Sequence, residues 1–221
     1  MKQRQILKKN LEEVKKLVNQ RARIIAVTKY FGPEVIRDLY DLGHRDFGEN
    51  RIDSLEIKSK ELTDLKDLRW HFIGKLQSKK IKKLIQIRNL YAIHSIDRLK
   101  ILNLLKESNY KGSVFIQVNI SDEEQKSGFK SVGEVSSAVS FCYNQDMKLR
   151  GFMGMGPLIG EEDAIHKSFK SLKVLRDRID PSLELSMGMS SDFMIALEYN
   201  ADWLRVGSRL YKGLEGFNAS C

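Results

Sequence analysis

The 221-residue sequence holds only two cysteines, Cys142 and Cys221. They form no metal-ligand or redox spacing, so a disulfide scaffold is not expected and a reduced, cytoplasmic setting is. Three prolines, Pro33, Pro157 and Pro181, leave no basis for a long disordered linker. No apolar run approaches a membrane span. The polar start Met1-Lys2-Gln3-Arg4-Gln5 leads into a helical pattern rather than a signal-peptide core. His44, His94 and His166 show no ligand spacing, so no metal site is expected. No internal sequence repeat is visible.

What is present fits one domain over residues 1–221, with 42% hydrophobic residues to build its core. The net charge of +9 suits an anionic ligand or a nucleic acid, and charge alone does not choose between them. The lysines at 79, 80, 82 and 83 make one side of a helix at 78–88 basic. A solvated face explains that basic stretch better than a nucleic-acid surface does.

Helical spacing of Ile6, Leu7, Leu11, Val14, Leu17 and Val18 predicts a leading amphipathic helix. Eight short β-rich runs follow, ending near Lys29, Asn50, Gly74, His94, Asn119, Met153, Met187 and Gly207. Helical patterns separate them, which implies parallel pairing. The expected fold is an α/β (β/α)8 TIM barrel with an extra N-terminal helix.

The first run, Ile24-Ile25-Ala26-Val27-Thr28-Lys29-Tyr30, drives straight into a cation. Strand alternation would put Ile25, Val27 and Lys29 on one face. A lysine desolvated at a buried strand end has a lowered pKa and a larger share of neutral amine. Such an amine can attack an aldehyde and form a Schiff base. The plainer reading is that Lys29 is one of many solvated lysines.

In this architecture ligands bind at the C-terminal strand ends, and phosphate often sits after strands 7 and 8. Ser186-Met187-Gly188-Met189-Ser190-Ser191-Asp192 supplies hydroxyls and a glycine before a helix, and Arg205-Val206-Gly207-Ser208 adds a cation. Glycine lets backbone N–H groups approach an anion. Read separately, Ser190 is a helix cap and Gly207 a turn. Read together, they form a phosphate cradle. Arg205 shares a face with Trp203 and Gly207 and points at the barrel mouth, unless it serves a salt bridge. Asn50 either orients a ligand or makes a turn. His71, in an apolar strand, reads as a satisfied core histidine. Met153, Met155, Met187 and Met189 read as core or pocket lining.

These pieces together resemble the pyridoxal-phosphate homeostasis proteins, whose barrel is similar to the N-terminal barrel of alanine racemase. The matching segments are Ala26–Lys29, Phe47–Asn50, Trp70–Gln77, Val118-Asn119 with Lys126-Ser127-Gly128, Gly151–Met153, Leu185–Asp192 and Arg205–Ser208. The resemblance implies pyridoxal 5'-phosphate as cofactor, joined to Lys29 as a Schiff base. It implies phosphate contacts from Ser190, Gly207 and Ser208, cofactor-side contacts from Asn50 and Met189, and Arg205 facing the pyridine nitrogen. Lys75 departs from the family's commoner histidine, and Phe152-Met153-Gly154-Met155 from a Met-Thr version.

A cation beside the ring nitrogen opposes its protonation, so the cofactor would be a weak electron sink. The expected function is therefore a carrier that buffers pyridoxal phosphate and delivers it to PLP-dependent apo-enzymes, with no catalytic residue of its own. The alternative is a pyridoxal-phosphate amino-acid racemase. Racemisation needs a second base, which racemases bring, by resemblance, from an added β-domain. The stretch after Gly207 is too short for one, leaving Tyr30 and Tyr211 as substitutes.

Overall fold

Eight parallel strands close into a barrel in chain order, each paired with its neighbours and β8 with β1. The computed structural model describes residues 2–121, 127–157, 162–215 and 217. Lys126, part of the loop predicted at 121–128, lies outside them.

The strands are β1 Arg23–Val27, β2 Asp46–Glu49, β3 Arg69–Phe72, β4 Leu90–Ile96, β5 Ser113–Gln117, β6 Leu149–Met153, β7 Glu184–Ser186 and β8 Trp203–Val206. Between them run α2 Pro33–Asp41, α3 Ile52–Glu61, α4 Ile81–Ile85, α5 Leu99–Glu107, α6 Val132–Asn144, α7 Glu162–Ile179 and α8 Phe193–Glu198. The leading helix α1 is Lys2–Val18, and α9 Ser208–Tyr211 follows β8. The barrel and its extra N-terminal helix are as the sequence predicts.

Side-chain alternation sorts the core into two layers. Ile24, Ala26, Trp70, Phe72, Ile93, Phe152, Leu185, Leu204 and Val206 face the helices. Ile25, Ala92, Phe115, Met153 and Trp203 fill the barrel interior. The helix α1 buries Leu7, Leu11, Val14 and Val18. It is pinned beside α9 by Asn10, whose amide donates to the carbonyls of Leu210 and Lys212 at 3.0 and 2.9 Å.

Two predicted elements differ. The helix expected at 78–88 is a 3-10 turn, Ser78–Lys80, followed by the five residues of α4. Lys80 and Lys83 turn to Asp53 on α3, at 2.8 and 2.9 Å, so part of the basic stripe is neutralised. The first strand stops at Val27, two residues before Lys29. Among the described residues no helix is long and apolar enough to cross a membrane, and no group of three or more His, Cys, Asp or Glu could hold a metal ion.

Candidate functional site

A cavity of about 500 Å³ opens at the C-terminal ends of the strands, and Lys29, Asn50, Met189, Ser190, Arg205, Gly207 and Ser208 all line it. Elements far apart in sequence converge there because β1 and β8 are neighbours in the closed sheet. Val27, Ile73, Met153 and Met155 give the cavity an apolar wall.

The anion side is built by two turns. After β7 the chain reverses at Gly188, whose φ of +90° suits glycine and where a Cβ would stand 2.6 Å from that of Ala196. This turn delivers Ser190, whose hydroxyl oxygen accepts from the Gly207 amide at 3.0 Å and the Arg209 amide at 3.4 Å. Hydroxyls and amide donors thus meet in one corner of the cavity, the donor set an anion requires.

Arg205 is buried, and it meets only neutral oxygens among the described residues. One guanidinium nitrogen donates to the Ser186 carbonyl and hydroxyl at 2.7 and 3.0 Å, the other to the Gly154 carbonyl at 3.0 Å. The salt bridge that the sequence left open for it is not found among the described residues. Burial pulls its pKa down to about 10, against the opposing charge of Asp192.

Lys29 corrects the sequence argument. Because β1 ends at Val27, strand alternation does not carry through to it. Its side chain is exposed at the cavity mouth, with the ammonium 4.6 Å over the Tyr30 ring. The protein alone does not supply the desolvation invoked from sequence.

The residue before it is held firmly. The Thr28 hydroxyl donates to Glu49 Oε1 at 2.6 Å, and Lys58 Nζ from α3 donates to the Thr28 carbonyl at 2.9 Å and to Glu49 Oε1 at 2.5 Å. Among the described residues, Glu49 Oε2 and the Tyr211 hydroxyl are buried without a hydrogen-bond partner. Tyr211 is in the cavity wall, its ring centroid 4.1 Å from that of Phe31 and tilted by 38°. Asn50 is exposed at the rim, and its backbone packs so tightly on Gly74 that a Cβ there would lie 1.9 Å from the Asn50 carbonyl oxygen.

Sequence reasoning missed what lies beneath Arg205. Asp46, His71, His94 and Ser186 form a buried hydrogen-bonded line through the barrel interior. His71 Nε2 is 2.9 Å from Asp46 Oδ1, His71 Nδ1 is 2.9 Å from His94 Nε2, and His94 Nδ1 is 2.9 Å from Ser186 Oγ. Arg69 grips the Asp46 carboxylate with two bonds, at 2.8 and 2.6 Å. Burial alone would raise the Asp46 pKa, but the donors from His71 and Arg69 win and hold it at about 2. Desolvation pushes His71 below its ordinary value and His94 well below, so both rings are neutral at neutral pH. His71 is thus the satisfied core histidine expected, and its partners are Asp46 and a second histidine. The available signal was two histidines, each in the middle of one of two consecutive strands.

Comparison with known proteins agrees with this architecture. The sequence profile described as "Alanine racemase, N-terminal domain" matches residues 3–215. A pyridoxal phosphate homeostasis protein of Schizosaccharomyces pombe is 37% identical over 201 residues, spanning 85% of this chain and 82% of that protein. Its counterpart in Helicobacter pylori is 39% identical over 196 residues, spanning 86% and 87%. Among solved structures, PipY of Synechococcus elongatus with PLP bound superposes with a TM-score of 0.81 at 30% identity, covering 93% of this chain and 99% of that one. An alanine racemase from E. faecalis shares the fold, with a TM-score of 0.77 at 16% identity, covering 98% of this chain and 59% of its own.

Proposed function

The chain belongs to the family of alanine racemase N-terminal domains and, within it, to the pyridoxal phosphate homeostasis proteins; from that premise we propose that it binds pyridoxal 5'-phosphate at the barrel mouth, buffers it and delivers it to apo-enzymes that use it. The observation that carries this reading is one cavity holding an accessible amine, a buried cation without a carboxylate partner among the described residues, and a corner of hydroxyls and amides. Pyridoxal phosphate supplies an aldehyde, an aromatic ring with a basic nitrogen, and an anionic tail. Each has a chemical complement in the donor set, so the residues fit the group.

We assign Lys29 to the aldehyde, and Ser190, Gly207 and Ser208 to the phosphate, with the Gly207 and Arg209 amides holding the Ser190 hydroxyl in place. Asn50 and Met189 flank the ring, and Arg205 faces the ring nitrogen. The Glu49–Lys58 pair fixes the Thr28 carbonyl and so sets where Lys29 leaves the strand. An exposed Lys29 can be reached by solvent and by a receiving protein, which suits hand-over better than sequestration.

Two features support a carrier over a racemase. Arg205 holds positive charge where ring protonation would be needed, which weakens the ring as an electron sink. Tyr211, a phenol in the cavity wall, is driven well above its ordinary pKa by burial, and further by Glu49, so it is a poor base at neutral pH. The other phenol, Tyr30, lies against the Lys29 ammonium itself rather than opposite it. The test is to add pyridoxal phosphate to the purified protein and follow visible absorbance and racemisation of amino acids. Cofactor uptake without turnover supports the carrier reading. Turnover that vanishes in Lys29→Ala would replace it with the racemase.

A further inference from the structure

The buried line from Asp46 to Ser186 ends on Arg205, and its direction is set from the far end. Asp46 begins β2, away from the cavity, and its carboxylate is held ionised by Arg69. An ionised carboxylate can only accept. His71 must therefore carry its proton on Nε2, which leaves Nδ1 as an acceptor. His94 must then donate from Nε2, which leaves its own Nδ1 as an acceptor. The single proton of the Ser186 hydroxyl goes to that nitrogen. The hydroxyl oxygen is left with its lone pairs toward Arg205, 3.0 Å away. With the opposite tautomer, His94 and Arg205 would both donate to Ser186, whose proton would have no acceptor among its hydrogen-bond partners in the described residues.

We propose that His94 and Ser186 are positioning residues for Arg205, and that Asp46, through His71, fixes the polarity of the hydrogen-bonded line that holds the guanidinium at the cofactor ring. The role at the cofactor rests on the function proposed above. The packing supports a built device rather than incidental contacts. His94 stacks on Phe115 with ring centroids 4.2 Å apart and an 11° tilt, and His71 lies 5.0 Å from the Trp203 ring centroid, so neither ring is free to turn. The titratable and charged groups acting on the upper end are Asp192 on Arg205 and His71, Arg205 and Arg150 on His94.

The test uses the full chain with pyridoxal phosphate as probe, and the variants Ser186→Ala, His94→Phe, His94→Gln and Asp46→Asn. The readouts are the dissociation constant and the pH midpoint of the bound cofactor's absorbance. Ser186→Ala and His94→Phe are expected to weaken binding by about three- to tenfold, the loss of roughly one hydrogen bond. They should also move the midpoint to higher pH, because a loosened Arg205 opposes ring protonation less. His94→Gln, which keeps one acceptor and one donor, should recover most of the affinity. Asp46→Asn, remote from the cavity, should shift the midpoint in the same direction, since an amide no longer dictates polarity. Should His94→Phe not fold, Ser186→Ala decides. Unchanged binding and midpoint in folded Ser186→Ala would overturn the proposal. In the cofactor-free chain, nitrogen NMR should find protons on Nε2 of both His71 and His94. A proton on His94 Nδ1 would overturn the line by itself, whereas a wild-type chain that takes up no pyridoxal phosphate would sink the binding function instead.

Discussion

Lys58 Nζ lies 2.5 Å from Glu49 Oε1, with both side chains buried. The pair crosses from α3 to the end of β2 and, through the Thr28 carbonyl, steadies the residue before Lys29. Removing one charge of a buried pair leaves the other uncompensated. Lys58→Met should therefore cost about 3–5 kcal/mol of stability. Lys58→Met combined with Glu49→Gln should recover most of it. Urea unfolding of the single and double variants checks this, and equal losses in the two would contradict it.

Acid should weaken the fold before it reaches the carboxylate range. His44, whose Nε2 donates to the Asp46 carbonyl, is lowered by burial from 6.5 to about 4, and His71 and His94 are lowered for the same reason. The unfolded chain then binds protons that the folded chain refuses. Stability is full above pH 6.5 and is lost as the pH falls from there through the folded-state value, about 4 for His44. Each histidine contributes a slope of about 1.4 kcal/mol per pH unit within its window. Asp46, held at about 2 against an ordinary 3.8, adds a second loss only below that range. Denaturant midpoints at pH 7.5 and pH 5 measure the first loss, and equal midpoints would contradict it.

Arg205→Gln should weaken retention of pyridoxal phosphate by about tenfold or more, the scale of a lost charged contact. Its buried bonds to Ser186 and Gly154 are to neutral oxygens, so no hydrogen-bonded carboxylate loses its donor when the charge goes. Equilibrium dialysis of wild type and variant decides it. An unchanged dissociation constant would remove Arg205 from the ring side.

Two glycines make a matched pair. Gly74→Ala would drive a Cβ into the Asn50 carbonyl oxygen, and Gly133→Ala, in α6, would meet nothing within 4 Å. The first should cost about 1–3 kcal/mol and displace Asn50 at the cavity rim. The second should be neutral or stabilise by up to about 1 kcal/mol. Thermal melts of both variants check the contrast, and similar melting temperatures would contradict it.

The barrel was legible because its signals are local. Leu149–Met153, a short run ahead of Gly154 and Gly156, ends where the sequence predicts, at Met153. The converging segments after β7 and β8 were legible for a similar reason, since glycine and serine mark such turns by type alone. The four-residue helix α9 was not, because it is shorter than any helical period can register. Lys29 was placed on the right rim but in the wrong environment, because alternation holds only while the strand lasts. The line from Asp46 to Arg205 left no local trace. Its members sit on five strands, and only the closed barrel brings them together.

The direct test of the central claim is peptide mapping by mass spectrometry after pyridoxal phosphate is added to the protein and the mixture is reduced with borohydride. The pyridoxyl mass is expected on the peptide carrying Lys29, and absent from Lys29→Ala. An adduct confined to Lys58 or to surface lysines, or none at all, would contradict the account.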